Sequence, residues 1–316
     1  MGLNQGYIYR ERIGPQAAGA TVLDYLCRRY QHSSPETWRQ RMEEGKVFLD
    51  GSPAASTEKL RAGQTLDWRR PPWQEPDAPL AFAVLYEDRH LLAVAKPRGL
   101  PTLPGGGFLQ KTLLWLVRPH YPDATPLHRL GRGSSGVLLF ARSRLARSSL
   151  SAAWQKGGVR RIYRALASGT VKAEPFDIDV AIGPVPHPLL RRVNGAAVSS
   201  GDAKPARSRV RLLEHRRDGS LVEVELRTGR PHQIRIHLAA AGHPLVGDPF
   251  YLAGGGPRRD ARALPGDLGY WLHAERLSFR HPESGDSVTI ECPPPPPLRS
   301  SAPASLPTSS SDSGSI

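Results

Sequence analysis

Three kinds of apolar pattern recur along the chain, and each predicts a different element. The first is a stripe at helical spacing. Val22, Leu23, Leu26 and Cys27 form such a stripe and predict a helix between Thr21 and Tyr30. A second helix starts near Ser33: Glu36 three residues on gives a capping-box pattern, Pro35 fits the first turn, and Gly45 follows the last helical residue. Residues 111–118 predict a short helix, and Ser143 caps another that runs to about Gln155. A last helix opens near His232, with Ile234, His237, Leu238 and Ala241 on one face and His232 and Arg235 on another. The second pattern is the continuous apolar run of a strand covered on both faces, seen at 91–95 and 136–141. The third is alternation: Val222, Val224 and Leu226 interleave with Glu223 and Glu225. Residues 160–167 read as a strand with Tyr163 pointing opposite to Ile162 and Arg164. Shorter strands fall at 46–49, closed by the turn pair Asp50-Gly51, at 63–68 and at 288–290.

The breaks between patterns divide the chain. Residues 1–70 form a small α/β module, and 71–79 are proline-rich without periodicity, as a linker at a domain boundary is. Residues 80–292 make the large domain, within which 183–205 are loop-like with basic pairs such as Arg191-Arg192. Residues 293–316 are Pro- then Ser-rich with almost no apolar content, which predicts disorder. A chain of 316 residues suffices for one large core and one small one. No internal repeat is present.

Charge narrows the choice of partner. The net charge of +14 favours a polyanion. The basic residues are scattered through folded motifs rather than gathered on an amphipathic helix, which argues for nucleic acid over a membrane surface. No run of eighteen apolar residues exists, so no transmembrane span is expected. The first residues lack a basic segment followed by an apolar one, so no signal peptide is expected, and the cytoplasm is the default compartment. Cys27 and Cys292 make neither a four-cysteine zinc site nor a disulfide framework. Gly105-Gly106-Gly107 lacks the Gly-Lys-Ser/Thr ending of a phosphate loop. There is no His-Glu-x-x-His pair, no Gly-x-Ser-x-Gly elbow and no dinucleotide fingerprint.

Two stretches carry the chemistry. Residues 126–141 place His128, Arg129 and Arg132 among glycines and serines on a loop that enters a buried strand. His128-Arg129-Leu130, followed by Ser134-Ser135-Gly136, resembles the signature loop of the RluA-type RNA pseudouridine synthases, which reads His-Arg-Leu-Asp, two residues, Thr or Ser, Ser, Gly. Residues 227–238, Arg-Thr-Gly-Arg-Pro-His-Gln-Ile-Arg-Ile-His-Leu, resemble that family's second signature, Thr-Gly-Arg-Thr-His-Gln-Ile-Arg, with Pro231 in place of a threonine. Glu87-Asp88 and residues 96–100, Lys204-Pro205-Ala206, residues 242–249 with Tyr251, and residues 272–285 match further family motifs in order. The two-helix, glycine, short-strand, Asp-Gly pattern of the first module is similar to the S4 RNA-binding domain.

The resemblance implies an α+β pseudouridine synthase fold with a mixed, mostly antiparallel sheet, preceded by an S4-like module. It implies isomerisation of uridine to pseudouridine in RNA, rRNA or tRNA, by a monomer without metal or organic cofactor. A base hidden by stacking must be turned out of the strand, which calls for an aromatic face and for cations on the phosphates. Tyr163 falls on the family's pocket tyrosine, and Arg235 stands with it as a catalytic candidate. Arg129, Arg132, Lys96, Arg230 and His232 are RNA-binding candidates, as are Arg39 and Arg41 on the S4-like helix. Several have a plainer alternative: solvated arginines at 39 and 41 and on the Gly/Ser turn at 129 and 132, a core tyrosine at 163, a loop-locking hydrogen bond at 232, a structural salt bridge at 235. One departure stands out. The family's catalytic aspartate falls on Gly131. Arg132 cannot replace it, since a guanidinium stays protonated. Asp88, Asp202 and Asp248 are the carboxylates near the motifs. The other reading is therefore an RNA-binding protein that keeps the fold without the reaction.

Overall fold

The computed structural model describes residues 2–31, 33–197, 201–260 and 263–301. The chain divides into two compact units, residues 1–76 and 77–316.

The first unit runs β1 (Tyr7–Arg12), α1 (Val22–Arg29), α2 (Pro35–Glu43), β2 (Val47–Leu49), β3 (Ser52–Pro53) and β4 (Thr65–Arg70). Its antiparallel sheet has the order β1-β4-β2-β3. The helices bury Val22, Leu26, Trp38 and Met42 against Val47, Leu49, Leu66 and Trp68 of the sheet. The cap of α2 is Ser34 rather than Ser33: its hydroxyl accepts from the Thr37 amide, and Pro35 takes the first helical position. Strand β1 has no signature in the sequence. It lies at the edge, mostly exposed, and is held by pairing with β4 and by a two-pronged bond from Arg10 to the buried Asp67. Part of the expected linker belongs to this unit, since Asn4 bonds the backbone of Trp73 and the side chain of Glu75.

The second unit runs β5 (Ala83–Glu87), β6 (Leu91–Lys96), α3 (Leu113–Val117), β7 (Thr125–Pro126), β8 (Ser134–Ala141), α4 (Arg144–Gln155), β9 (Arg160–Ala167), β10 (Phe176–Asp179), β11 (Ile182–His187), β12 (Arg191–Ala196), β13 (Arg207–Arg216), β14 (Gly219–Leu226), α5 (Gln233–Ala240), β15 (Leu272–Arg280) and β16 (Ser287–Glu291). The main sheet has the order β10-β13-β14-β9-β15-β8-β6-β5, with β16 beside β15 and β7 beside β8. Its neighbours pair antiparallel except β15 with β8. Alternation along β6 and β8 explains their continuous apolar runs. Leu92, Val94, Leu138 and Phe140 enter one core with α3 and α5, while Leu91, Ala93, Val137 and Leu139 enter the other under α4. Gly136 is required where β8 meets β15: a Cβ there would lie 2.1 Å from the Ala274 carbonyl oxygen.

Three expectations change. Residues 183–205, read as a loop, contain the hairpin β11–β12, whose prolines and Gly195 hide the strand signal; residues 198–200 lie outside the described residues. Residues 293–301, read as disordered, pack on the sheet: Leu298 is fully buried, Arg164 and Arg216 donate to the backbone of Leu298 and Pro297, and Glu214 accepts from Ser301. Residues 302–316 lie outside the described residues. Helix α5 has no solvent face, because all seven residues from Gln233 to Ala239 are buried. Its polar residues are satisfied internally, as burial demands.

Candidate functional site

A cleft of about 930 Å³ opens among the loop at 101–105, the loop entering β8, the end of α4, β9, and the turn from β14 to α5. Five arginines line it: Arg129, Arg132, Arg161, Arg227 and Arg230. His128, His232, Trp154 and Tyr163 join them. Among the described residues, none of those lining the cleft is Asp or Glu.

The signature loops are locked from beneath. His128 accepts at Nε2 from the Leu139 amide (3.0 Å) and stacks on Trp154. Burial, helped by Arg161, pushes its pKa down to about 3, so the ring is neutral. Gln233 braces the second loop. Its Oε1 accepts from the Thr228 hydroxyl (2.8 Å) and the Arg230 amide (2.9 Å), while Nε2 donates to Arg207 O and Ser208 Oγ. His232 caps α5 in the left-handed region, at φ 57°. The Tyr251 hydroxyl donates to Asn194 O, so its partner His232 Nδ1 (2.8 Å) must be the donor in that pair. That assignment leaves Nε2 of His232 as an acceptor without a hydrogen-bond partner among the described residues. Burial, then Arg235 and Arg129, push this imidazole down to about 4. The expected loop-locking bond is present, and the ring is a neutral base.

Tyr163 sits mid-strand, between β14 and β15, and is 8% exposed. It belongs both to the core and to the cleft wall, and burial raises its phenol pKa. Arg129 is exposed and lacks a carboxylate partner among the described residues. Arg132 lies over the Phe108 ring and donates to Gly99 O. Arg230 donates to Pro205 O, and Arg227 pairs with Glu225.

Other candidates do not join the cleft. Arg235 is buried in a two-pronged pair with Asp248, both bonds 2.7 Å, and lies over the rings of Tyr251 and Tyr270. It is a structural arginine, because its two best donor directions are spent on a carboxylate inside the fold. Lys96 is 1% exposed and donates to Pro97 O and Leu100 O, tying down the loop that follows β6. Burial lowers its ammonium to about 7, and no part of it lines the cleft. In the first unit, Arg41 is half-buried over the rings of Trp38 and Trp68 and donates to Ser33, while Arg39 is exposed and pairs with Glu36.

The three carboxylates near the motifs are also committed elsewhere. Asp88 accepts from Tyr86, from the amides of His90 and Leu91, and from His281. Asp202 pairs with Arg192, and Asp248 with Arg235. Gly131 faces the cleft outside the left-handed region. A Cβ on it would stand 3.4 Å from the Tyr270 hydroxyl and 3.9 Å from Ser134 Oγ, which is ordinary contact. Among the described residues, no group of three or more His, Cys, Asp or Glu is placed to hold a metal ion.

Sequence reasoning missed Arg161, Trp154 and Gln233. Arg161 was legible in principle, since it lies two residues before Tyr163 on one strand and therefore on the same face.

Cations around one buried aromatic ring define a site for a polyanion that presents a planar base. Comparison with known proteins agrees. The sequence model of the RNA pseudouridylate synthase family matches residues 90–240. A protein of Synechocystis named an uncharacterized RNA pseudouridine synthase is 43% identical, over 88% of this chain and 95% of its own. RNA pseudouridine synthase 5 of Arabidopsis thaliana is 39% identical over 88% and 89%. Ribosomal large subunit pseudouridine synthase D of Neisseria meningitidis is 37% identical over 86% and 74%. Among solved structures, human RNA Pseudouridylate Synthase Domain Containing 1 superposes with a TM-score of 0.55 at 28% identity, covering 72% of this chain and 89% of that one. The chain belongs to the RNA pseudouridylate synthase family.

Proposed function

We propose that this chain isomerises uridine to pseudouridine in RNA, on a nucleotide turned out of its strand into the arginine-lined cleft. The observation that carries the reading is the placement of Tyr163 among cations on a rigid central strand. A turned-out base needs a ring to stack on, and the phosphates on either side need positive charge. The first unit fits the same partner: the S4 resemblance expects arginines of α2 to face RNA, and Arg39 is exposed there. No helix among the described residues is long and apolar enough to cross a membrane.

A second reading, binding without turnover, rests on one observation, the absence of Asp and Glu from the cleft lining among the described residues, and the named relatives do not favour it. Isomerisation must detach the base from the ribose, and the resemblance places the carboxylate for that step at the position held by Gly131. The test is conversion of uridine in a total-RNA pool by wild type, read by nucleoside chromatography. Conversion supports the first reading. RNA binding without conversion replaces it with the second.

A further inference from the structure

Among the described residues, Arg161 is the buried charged group of the cleft whose surroundings do not account for it, whereas Arg129 is exposed to water. It opens β9 on the face that carries Tyr163, is 7% exposed and lines the cleft. Among the described residues, three arginines have a buried Nε without a hydrogen-bond partner: Arg142, Arg161 and Arg164. Arg142 holds Glu87 through another nitrogen, and Arg164 holds Glu275 in the same way. Arg161 holds no carboxylate among the described residues, and its hydrogen bond to Leu226 O is long, at 3.5 Å. Its charged neighbours offer nothing either, since His128 is neutral and Tyr163 is protonated. Burial lowers the guanidinium pKa without a carboxylate to raise it again. A buried cation in this state is destabilising until an anion arrives.

The loop across the cleft leaves room for this side chain. A Cβ on Gly229 would lie 2.7 Å from Arg161 Nη1, although Gly229 is outside the left-handed region. With glycine in the Thr-Gly-Arg turn, backbone rather than a side chain faces the guanidinium, and a Cβ there would require the Arg161 side chain to shift.

We propose that Arg161 is a phosphate subsite, taking the backbone phosphate next to the nucleotide that reaches Tyr163. The two residues are about 6–7 Å apart along the strand, the scale of a single nucleotide. The inference rests on RNA being the ligand of the cleft, and it names which phosphate contact is built into the sheet rather than carried on the surface. A planar guanidinium whose only hydrogen bond among the described residues is the long one to Leu226 O suits a phosphate, which it can meet through paired hydrogen bonds.

The experiment compares wild type with Arg161→Met and Arg161→Lys. Two readouts are used: the salt dependence of single-stranded RNA binding, and thermal stability with uridine or with uridine monophosphate. Arg161→Met is expected to weaken low-salt binding about tenfold or more. It should also reduce the log–log salt slope by about 0.7, the share of one phosphate on a single strand. Arg161→Lys should keep the slope and lose part of the affinity. Without ligand, Arg161→Met should melt higher than wild type, because the unpaired charge is gone. Uridine monophosphate should stabilise wild type more than uridine does, and Arg161→Met by no more than uridine does. An unchanged slope in Arg161→Met, or a melting point below wild type, would overturn the subsite. If wild type fails to bind RNA yet shows the Arg161-dependent preference for the monophosphate, the RNA reading fails and Arg161 remains a phosphate contact for a mononucleotide only.

Discussion

Replacing Gly131 with aspartate is the most direct test of what the cleft lacks. Backbone and packing both admit the change. Residue 131 is outside the left-handed region, and a Cβ there meets Tyr270 and Ser134 at 3.4 and 3.9 Å. A glycine replaced at a compatible site changes stability by about 1 kcal/mol or less, partly through the unfolded chain. The carboxylate would project among arginines, of which Arg129 and Arg161 have no carboxylate of their own among the described residues. It should therefore ionise readily. A positioned general base contributes about 10²–10⁴-fold, which is roughly 3–5 kcal/mol of barrier. The assay is the initial rate of uridine conversion, with RNA affinity and melting temperature measured on the same samples. Gly131→Asp should raise conversion by about two to four orders of magnitude. Gly131→Asn, of the same size without basicity, should not. If Gly131→Asp folds and binds RNA but converts no faster, the reasoning that one carboxylate is missing is refuted. If wild type already matches it, Nε2 of His232 is the remaining base in the cleft, and His232→Gln should then abolish turnover.

The remaining predictions concern charge, stacking and domain role. For His128 the folded pKa, about 3, lies below the unfolded value of 6.5, so as pH falls the unfolded chain takes the proton first. Its share of stability is therefore lost between pH 6.5 and about 3, and His128→Phe should flatten the fall in urea midpoint across that window. Asp248→Asn leaves Arg235 buried without its carboxylate and should lower stability by roughly 3–5 kcal/mol, with RNA affinity of the folded fraction unchanged; a selective loss of affinity would return Arg235 to the binding site. Tyr163→Ala should cost about 1–3 kcal/mol of RNA binding and Tyr163→Phe much less, since the stacking face remains; equal losses would shift the role to the hydroxyl. Removing residues 1–76 should flatten the salt slope of RNA binding, and an unchanged slope would deprive the first unit of an RNA-binding role.

The parts of the fold legible in the sequence are those that alternate or repeat strongly. Strands β6 and β8 were readable because both faces are covered, and α1 because its apolar stripe meets a sheet. Strand β1 and the β11–β12 hairpin were not, since edge pairing and proline-bearing strands leave weak periodic signals. At the site, the motifs mark loops that line the cleft, but side-chain partners depend on contacts distant in sequence. The Arg235–Asp248 pair spans 13 residues, and the Lys96 ammonium is held by carbonyls of the loop it precedes. Residue type alone marks an arginine or lysine in a motif as a phosphate ligand. Only the fold shows whether its hydrogen-bonding capacity is already used.

That distinction explains how this cleft does without a carboxylate at position 131. An arginine deprived of its partner would have made glycine there costly. Arg235, the candidate for that loss, carries its own carboxylate in Asp248, and the Tyr270 ring lies over its guanidinium. The same ring packs against Gly133, where a Cβ would come within 2.6 Å of it, and its hydroxyl reaches towards Gly131. An aromatic side chain thus packs beside the signature loop, and the fold is complete with glycine at position 131. The uncompensated charge sits instead on Arg161, across the cleft, where RNA can neutralise it. Stability and chemistry are therefore separable at position 131. A change there should alter turnover without altering the fold, whereas a change at Arg161 should move binding and stability in opposite directions.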